Sequence, residues 1–297
     1  MGGSIFGFRF ALFAAAVAVL ACRQPGRHSA TTVVVDDAGD SVAVRVPATR
    51  VVSLIPASTE LLFAIGAGAA VVGRTEWCNY PPEAAAVPNL GAGINPNAEA
   101  VVAARPDLVI LYNSAQHADV ARRLRDLGIS AIRINTDALA DVGRIAVLLG
   151  RLTGHRREAD SLSAVFDTAL TSATRDARPA RRPTVLLLVW EQPPMTIGRG
   201  SYLSEVVERA GGENLFADIT TSSAPVSIEA IGARDPDLIL TTADGPASFA
   251  TRPEWQAVPA VRERRFLAVS GSEYDRPGPR SPQAIRALAA RLGDAAR

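Results

Sequence analysis

A chain of 297 residues with 48% hydrophobic side chains is long for a single core, so size alone predicts two folded units. Its 31 basic residues balance 30 acidic ones, which excludes an electrostatic nucleic-acid binder. The basic residues are all arginine, a uniformity that reads as coding bias, because 31 separate sites do not all require guanidinium geometry.

Arg9 precedes twelve apolar residues, Phe10 to Ala21. That run is too short to span a bilayer as a helix and has the length of a signal-peptide core, so the chain is expected to be exported. It ends Val19-Leu20-Ala21-Cys22, which resembles a bacterial lipobox, so residues 1–22 read as a lipoprotein-type signal segment in which Cys22 is lipidated and becomes the first residue of the mature chain. Cys78 is then the one cysteine left, and no intrachain disulfide is possible.

Residues 23–48 read as a polar tether followed by a β-hairpin, with Val33–Val35 and Val42–Val46 flanking the turn cluster Asp36–Asp40. From there to residue 152 strands and helices alternate, the pattern of a parallel α/β lobe. Strands are predicted at Val51–Leu54, from Val71, at Leu108–Leu111 and at Ile129–Ile134. Ser58 or Thr59 is expected to cap a helix ending at Gly66, another helix covers Gln116–Leu127, and Asp137 is expected to cap one reaching Gly150. The loop from Trp77 to Pro96 is long enough to carry function.

Residues 153–179 form the predicted connection. Ala159, Leu162, Phe166, Ala169, Leu170 and Ala173 recur at steps of three and four, the stripe of an amphipathic helix, and Pro179 should stop it. Residues 180–297 then repeat the α/β pattern, with strands at Thr184–Val189 and Arg265–Val269, the latter read as a central strand, and helices at Ser201–Ala210 and Ser281–Leu292. A repeat supports the division. At an offset of 130 residues Glu99 matches Glu229, Ala100 matches Ala230, and Pro106-Asp107 matches Pro236-Asp237. The expected fold is α/β, two similar lobes with parallel sheets joined by one long helix, with a ligand cleft between them.

Hydrolase, zincin and phosphate-loop motifs are missing, and Gly66-Ala67-Gly68 follows a helix where a dinucleotide fingerprint needs a strand. His117 and His155 lie in polar, arginine-rich stretches and read as solvated side chains, so a multi-imidazole metal site lacks ligands. No resident cofactor or metal is expected. Trp77, Tyr80, Tyr112 and Trp190 fall in loops or at carboxyl ends of strands, where open α/β sheets bind ligands. Such rings suit a large, flat, partly apolar ligand.

The segments TELLFAIGAG (Thr59 to Gly68), WCNYPPEA (Trp77 to Ala84), INPNAEAVVAARPDLVI (Ile94 to Ile110), QPPMTIGRGSYLSEVVERAGGENLF (Gln192 to Phe216) and SIEAIGARDPDLIL (Ser227 to Leu240) together resemble the helical-backbone substrate-binding proteins of ABC importers, in their cobalamin-binding branch. The resemblance implies a non-enzymatic, monomeric, extracytoplasmic lipoprotein that captures a corrinoid and passes it to a permease and its ATPase. It implies permease docking through Glu99 and Glu229, which the repeat also pairs; the alternative is that both are carboxylates placed at helix N-termini by the dipole. It implies ligand contacts at Trp77, Tyr112, Trp190 and Arg276. Gly91-Ala92-Gly93-Ile94 lacks the aromatic common before N-P-N, and Ser223-Ala224-Pro225 lacks a tryptophan of some cobalamin binders, so ferric siderophores and haem stay open as ligands. Cys78 is read as a packed thiol. From a different class, an exported enzyme would use Glu191 and Glu273 as acid and base.

Overall fold

The computed structural model describes residues 30–177, 181–241 and 248–295, so Cys22, the signal segment and Pro179 lie outside the described residues. Strands β1 (Ala30–Val35) and β2 (Ser41–Val46) form an antiparallel hairpin. Its turn is closed by Asp36, whose Oδ1 accepts the N–H groups of Ala38 and Asp40 at 3.1 and 2.9 Å. The hairpin is bound to the first lobe: Arg125 reaches Asp36 and Asp40, Arg144 reaches Asp37, and Val34, Val42 and Val44 enter the core.

The first lobe follows as β3 (Val51–Ser53), α1 (Pro56–Ala64), β4 (Val71–Arg74), α2 (Ala98–Ala103), β5 (Leu108–Tyr112), α3 (Ala115–Asp126), β6 (Ser130–Ile134) and α4 (Leu139–Thr153). Its sheet has the order β4-β3-β5-β6 with every pair parallel. Two predicted caps are corrected. Helix α1 starts earlier, with Pro56 in its first turn, because proline's fixed φ suits that position and its missing N–H costs nothing there. Thr59 is buried inside the helix, its hydroxyl shared with Ser53 and the Ile55 carbonyl. Asp137 does not cap α4; the Asp141 carboxylate accepts the N–H groups of Asp137 and Ala138 instead.

Gly154 takes a left-handed φ of +81° that ends α4 and turns the chain into α5 (Arg156–Asp176), 21 residues or about 30 Å of helix. Ala159, Phe166 and Ala173 of the predicted stripe are buried, with Leu162 and Leu170 packed against the same core. Gly150 permits the close approach of α4 to α5, since a Cβ there would fall 2.4 Å from the Ala159 Cβ. One continuous apolar cluster runs from Val51 and Ile110 through Phe166 and Ala173 to Val185 and Leu288, so the helix shares its core with both lobes.

The second lobe contains β7 (Thr184–Glu191), β8 (Pro194–Ile197), α6 (Tyr202–Arg209), β9 (Glu213–Asn214), β10 (Ser223–Pro225), α7 (Ile228–Arg234), β11 (Leu238–Thr241), α8 (Pro259–Arg262), β12 (Phe266–Ala268), α9 (Ser272–Asp275) and α10 (Ser281–Ala295). Strands β9, β7, β11 and β12 are parallel, and β8 and β10 extend the sheet in antiparallel fashion. The hairpin strand β8, which opens on Pro194 directly after Pro193, was not expected, and β12 lies at the sheet edge rather than its centre.

The repeat is preserved in detail. Asn97 and Ser227 cap α2 and α7, each accepting the N–H three residues on at 3.1 Å. Arg105 and Asp235, again 130 positions apart, both adopt positive φ, +48° and +44°. Asp107 accepts the N–H groups of Thr49 and Arg50, and Asp237 accepts that of Thr184, so each carboxylate ties its own strand to the start of the neighbouring one.

Candidate functional site: an interlobe cleft

Chain segments leaving the carboxyl ends of β3, β4, β5 and β6 form one wall of a cavity of about 800 Å³. They contribute Ile55 and Pro56, Trp77, Tyr112, and Thr136 with Asp137. Gly200, Ser201, Tyr202, Ser222, Asp275 and Arg276 of the second lobe form the other wall. The position is the one parallel sheets favour for ligands, and the volume suits a bulky small molecule.

Three of the four residues proposed for ligand contact meet here. Trp77 keeps 58% of its surface exposed, a large apolar face with nothing over it. Tyr112 ends β5 and donates its hydroxyl to Asp137 Oδ1 at 2.7 Å; burial first, and then that carboxylate, push its phenol well above the ordinary value. Arg276 reaches across from the other lobe, its Nη2 donating to Asn79 Oδ1 at 2.8 Å and its Nη1 to the Trp77 carbonyl at 3.5 Å. Trp190 is not brought into this group. It is 61% exposed near the end of β7, its indole N–H donating to the Gln192 carbonyl at 2.9 Å, and it does not line the cavity. The bulge in the β7–β8 pairing between Leu188 and Trp190 shifts the side-chain alternation there, which a sequence count cannot anticipate.

Sequence reasoning passed over the ionic group beneath the cleft. Glu60 on α1 is 3% exposed, yet its carboxylate receives Nε and Nη2 of Arg280 at 2.9 Å each, with Arg276 Nε 3.8 Å away. Arg280 also meets Glu273 at 2.5 Å and stacks on Tyr80, 3.7 Å from the ring centroid. The signal available was Glu60 itself, an acidic residue within an otherwise apolar helical run. Because a buried charge that loses its partner is costly, Arg280→Ala is expected to lower unfolding free energy by about 3 kcal/mol in denaturant titration, and Glu60→Gln added to it should recover part of the loss.

His117 is corrected from a solvated to a buried side chain, 5% exposed. Its Nδ1 lies 2.9 Å from the Tyr112 carbonyl and its Nε2 2.7 Å from that of Gly93, so it joins the cleft loop to the end of β5. Cys78 packs fully buried against the Thr75 hydroxyl at 3.2 Å. Glu191 and Glu273 are not paired for acid-base work: Glu191 contacts Ser248 and Arg252, Glu273 contacts Arg280, and neither lines the cavity.

Glu99 and Glu229 occupy equivalent first-turn positions on α2 and α7. Glu99 is paired with Arg123 at 2.9 Å on an exposed surface. Glu229 is exposed, and its own backbone N–H, followed by Ser227, holds its carboxyl below the ordinary value, as an acidic side chain at a helix N-terminus should be.

Two α/β lobes on one helix with a walled cleft between them are the architecture of a solute-binding protein. The family model described as periplasmic binding protein matches residues 51–270, and the chain belongs to that family, the substrate-binding components of ABC importers. It is 29% identical over 302 residues to an uncharacterized ABC transporter substrate-binding lipoprotein, YvrC, of Bacillus subtilis, covering 95% of each chain. Among solved structures it is similar to the periplasmic heme-binding protein RhuT of Roseiflexus sp. RS-1 in apo form (29% identity, TM-score 0.76) and to the periplasmic vitamin B12 binding protein BtuF of Vibrio cholerae (25% identity, TM-score 0.73). Each alignment covers 84% of this chain and 99% of the other.

The rigid link has a consequence for motion. A helix that shares its core with both lobes, reinforced by the Glu60–Arg280 contact, resists hinge bending. The radius of gyration measured by X-ray scattering is expected to change by less than about 1 Å between free and ligand-bound protein.

Proposed function

We propose that this chain captures cobalamin or a related corrinoid outside the cytoplasmic membrane and delivers it to an ABC permease, held at the membrane by a lipid on Cys22. Trp77, Tyr112 and Arg276 contact the ligand, and Glu99 and Glu229 dock to the permease. Trp190 has no part in this reading.

The observation that favours a corrinoid over haem is the state of the phenols. Haem iron in proteins is held by an axial histidine, cysteine, methionine or tyrosinate. Among the described residues lining the cavity, the tyrosines are the only side chains of those kinds. Tyr112 donates its hydroxyl to Asp137, and Tyr202 donates to the Glu273 carbonyl and contacts Ser281 Oγ at 2.9 Å. Burial raises both phenols, which opposes tyrosinate formation. Cobalamin brings cobalt whose axial positions are already filled by its own nucleotide base and its upper ligand, so it asks the protein for no metal ligand but for ring contact and polar partners at its edge. Haem remains the second reading because of the similarity to RhuT.

Purified protein incubated with cyanocobalamin, or separately with haemin, and then passed through a desalting column distinguishes the two. Retention of the cobalamin spectrum at about one equivalent with no retained Soret band is expected. The reverse pattern replaces the corrinoid with haem.

A further inference from the structure

The end of the first lobe opposite the cleft carries arginines that ligand binding does not use. The cleft wall is built beyond the carboxyl ends of the parallel strands β3 to β6, so this base of the lobe lies at their amino ends. The segments there are tied together. The Ala48 N–H donates to the Leu152 carbonyl at 2.7 Å, and a Cβ on Gly154 would lie 3.2 Å from the Pro47 Cβ. Arg50 donates Nη2 to the Ala104 carbonyl at 2.7 Å and Nε to that of Arg105 at 2.8 Å. Residues 45–50, 104–107 and 151–158 therefore form one surface, with six arginines against two acids, Asp107 and Glu158. Asp126 closes α3 at the same end, and Asp107 already accepts the N–H groups of Thr49 and Arg50. Arg45, Arg105, Arg151, Arg156 and Arg157 are exposed, and among the described residues none of them forms an ion pair. The chain also enters the fold at this base, because Ala30 opens β1 paired with Val46. Seven residues, 23–29, separate Ala30 from Cys22, and they include Arg23 and Arg27 but no acid. Covalent geometry limits the distance from Cys22 to Ala30 to about 28 Å.

We infer that the arginine-rich base of the first lobe binds the headgroups of anionic phospholipids, setting that base against the bilayer and turning the cleft away from it. Phosphate diesters match the fork of N–H donors on a guanidinium. The inference rests on the lipid anchor of the proposed function for choosing a bilayer over an acidic protein, since an anchored Cys22 keeps the base within reach of the surface. Each arginine brought within a Debye length, about 8 Å, of an anionic leaflet raises association about fivefold. A basic patch beside a lipidated residue is the second signal that makes a marginal lipid anchor a stable one.

Energy transfer from a fluorophore on the base to an acceptor in the headgroup layer reads this contact. The label is placed at Ala69→Cys, an exposed position just before β4, in the exported, lipidated chain; Cys78 is buried and stays unlabelled. On vesicles of phosphatidylcholine containing phosphatidylglycerol, transfer is expected to be at least about twofold higher than on phosphatidylcholine alone. Raising salt to about 0.5 M should remove the difference. So should the variant Arg45→Gln/Arg151→Gln/Arg156→Gln/Arg157→Gln, whose melting temperature should match the parent because all four side chains are exposed. A label at Ser222→Cys, in the cleft wall of the other lobe, should stay low on both vesicles. Equal transfer from Ala69→Cys on the two vesicles overturns the inference, as does a difference that survives the fourfold substitution or a rise at Ser222→Cys instead. If mass spectrometry finds no lipid on the exported chain, the anchor fails on its own, and that chain is sedimented with the same two vesicles. Enrichment on the anionic vesicles that the fourfold substitution abolishes upholds the inference; equal sedimentation, or none, overturns it.

Discussion

Trp77→Ala weakens ligand binding by about 70-fold while leaving the protein folded and able to dock. The magnitude follows from exposed area. Trp77 has 58% of its surface free in the cleft wall, and a flat ligand lying on it would cover about 100 Å² of ring face, worth about 2.5 kcal/mol at about 25 cal/mol/Å². Folding is spared because that face has no protein neighbour to lose; the residue's tie to the other lobe runs through its backbone carbonyl, which alanine keeps. Tyr112→Ala should cost a comparable factor, with an added penalty from freeing Asp137, whereas Tyr112→Phe retains the ring and isolates the hydroxyl contribution. Equilibrium titration followed by thermal melting of each variant checks both halves. A drop in melting temperature in place of the loss of affinity would mean that Trp77 serves packing.

The second large effect is expected at the other functional surface. Simultaneous Glu99→Arg and Glu229→Arg substitution should abolish capture of the binding protein by the reconstituted permease without altering ligand affinity. Reversal removes attraction at two points and adds like-charge repulsion to arginines that a docking partner would present, which acts on encounter and orientation together. Neither glutamate lines the cavity, so ligand binding has no reason to change. Arg123, now paired with Glu99, would have to release it on docking, and Arg123→Ala is therefore expected to leave docking intact or strengthen it. A double reversal that still forms the complex would reduce both glutamates to helix-end carboxylates, the role that the lowered value of Glu229 already accommodates.

How far the sequence reached can be judged from particular residues. The repeat was legible because each copy is a self-contained unit of cap, helix, tight turn and strand. Its local rules, Asn97 and Ser227 as caps and the proline after a left-handed residue, leave marks at fixed spacing. Helix α5 was legible for the same reason, its stripe being periodic along one element. What escaped notice depends on contacts between distant segments. Glu60 and Arg280 are 220 positions apart, and His117 turns inward only because Gly93 and Tyr112 place two carbonyls beside it. Asp137 was read as a cap from its position before a helix, when Asp141 takes that task and frees Asp137 for Tyr112 and the cleft. The displacement of Trp190 stems from one bulge. Single-element features are thus readable in advance, whereas the polar chemistry of a cleft built from two lobes appears only when the lobes are brought together.

Isothermal titration of the purified chain with cyanocobalamin tests the central claim most directly. Binding at one site per chain with a dissociation constant below about 1 μM, equivalent to about −8 kcal/mol, is the predicted result, and it should weaken by the factor given above in Trp77→Ala. Absence of saturable heat, or saturable binding that Trp77→Ala and Tyr112→Ala both leave untouched, would contradict it.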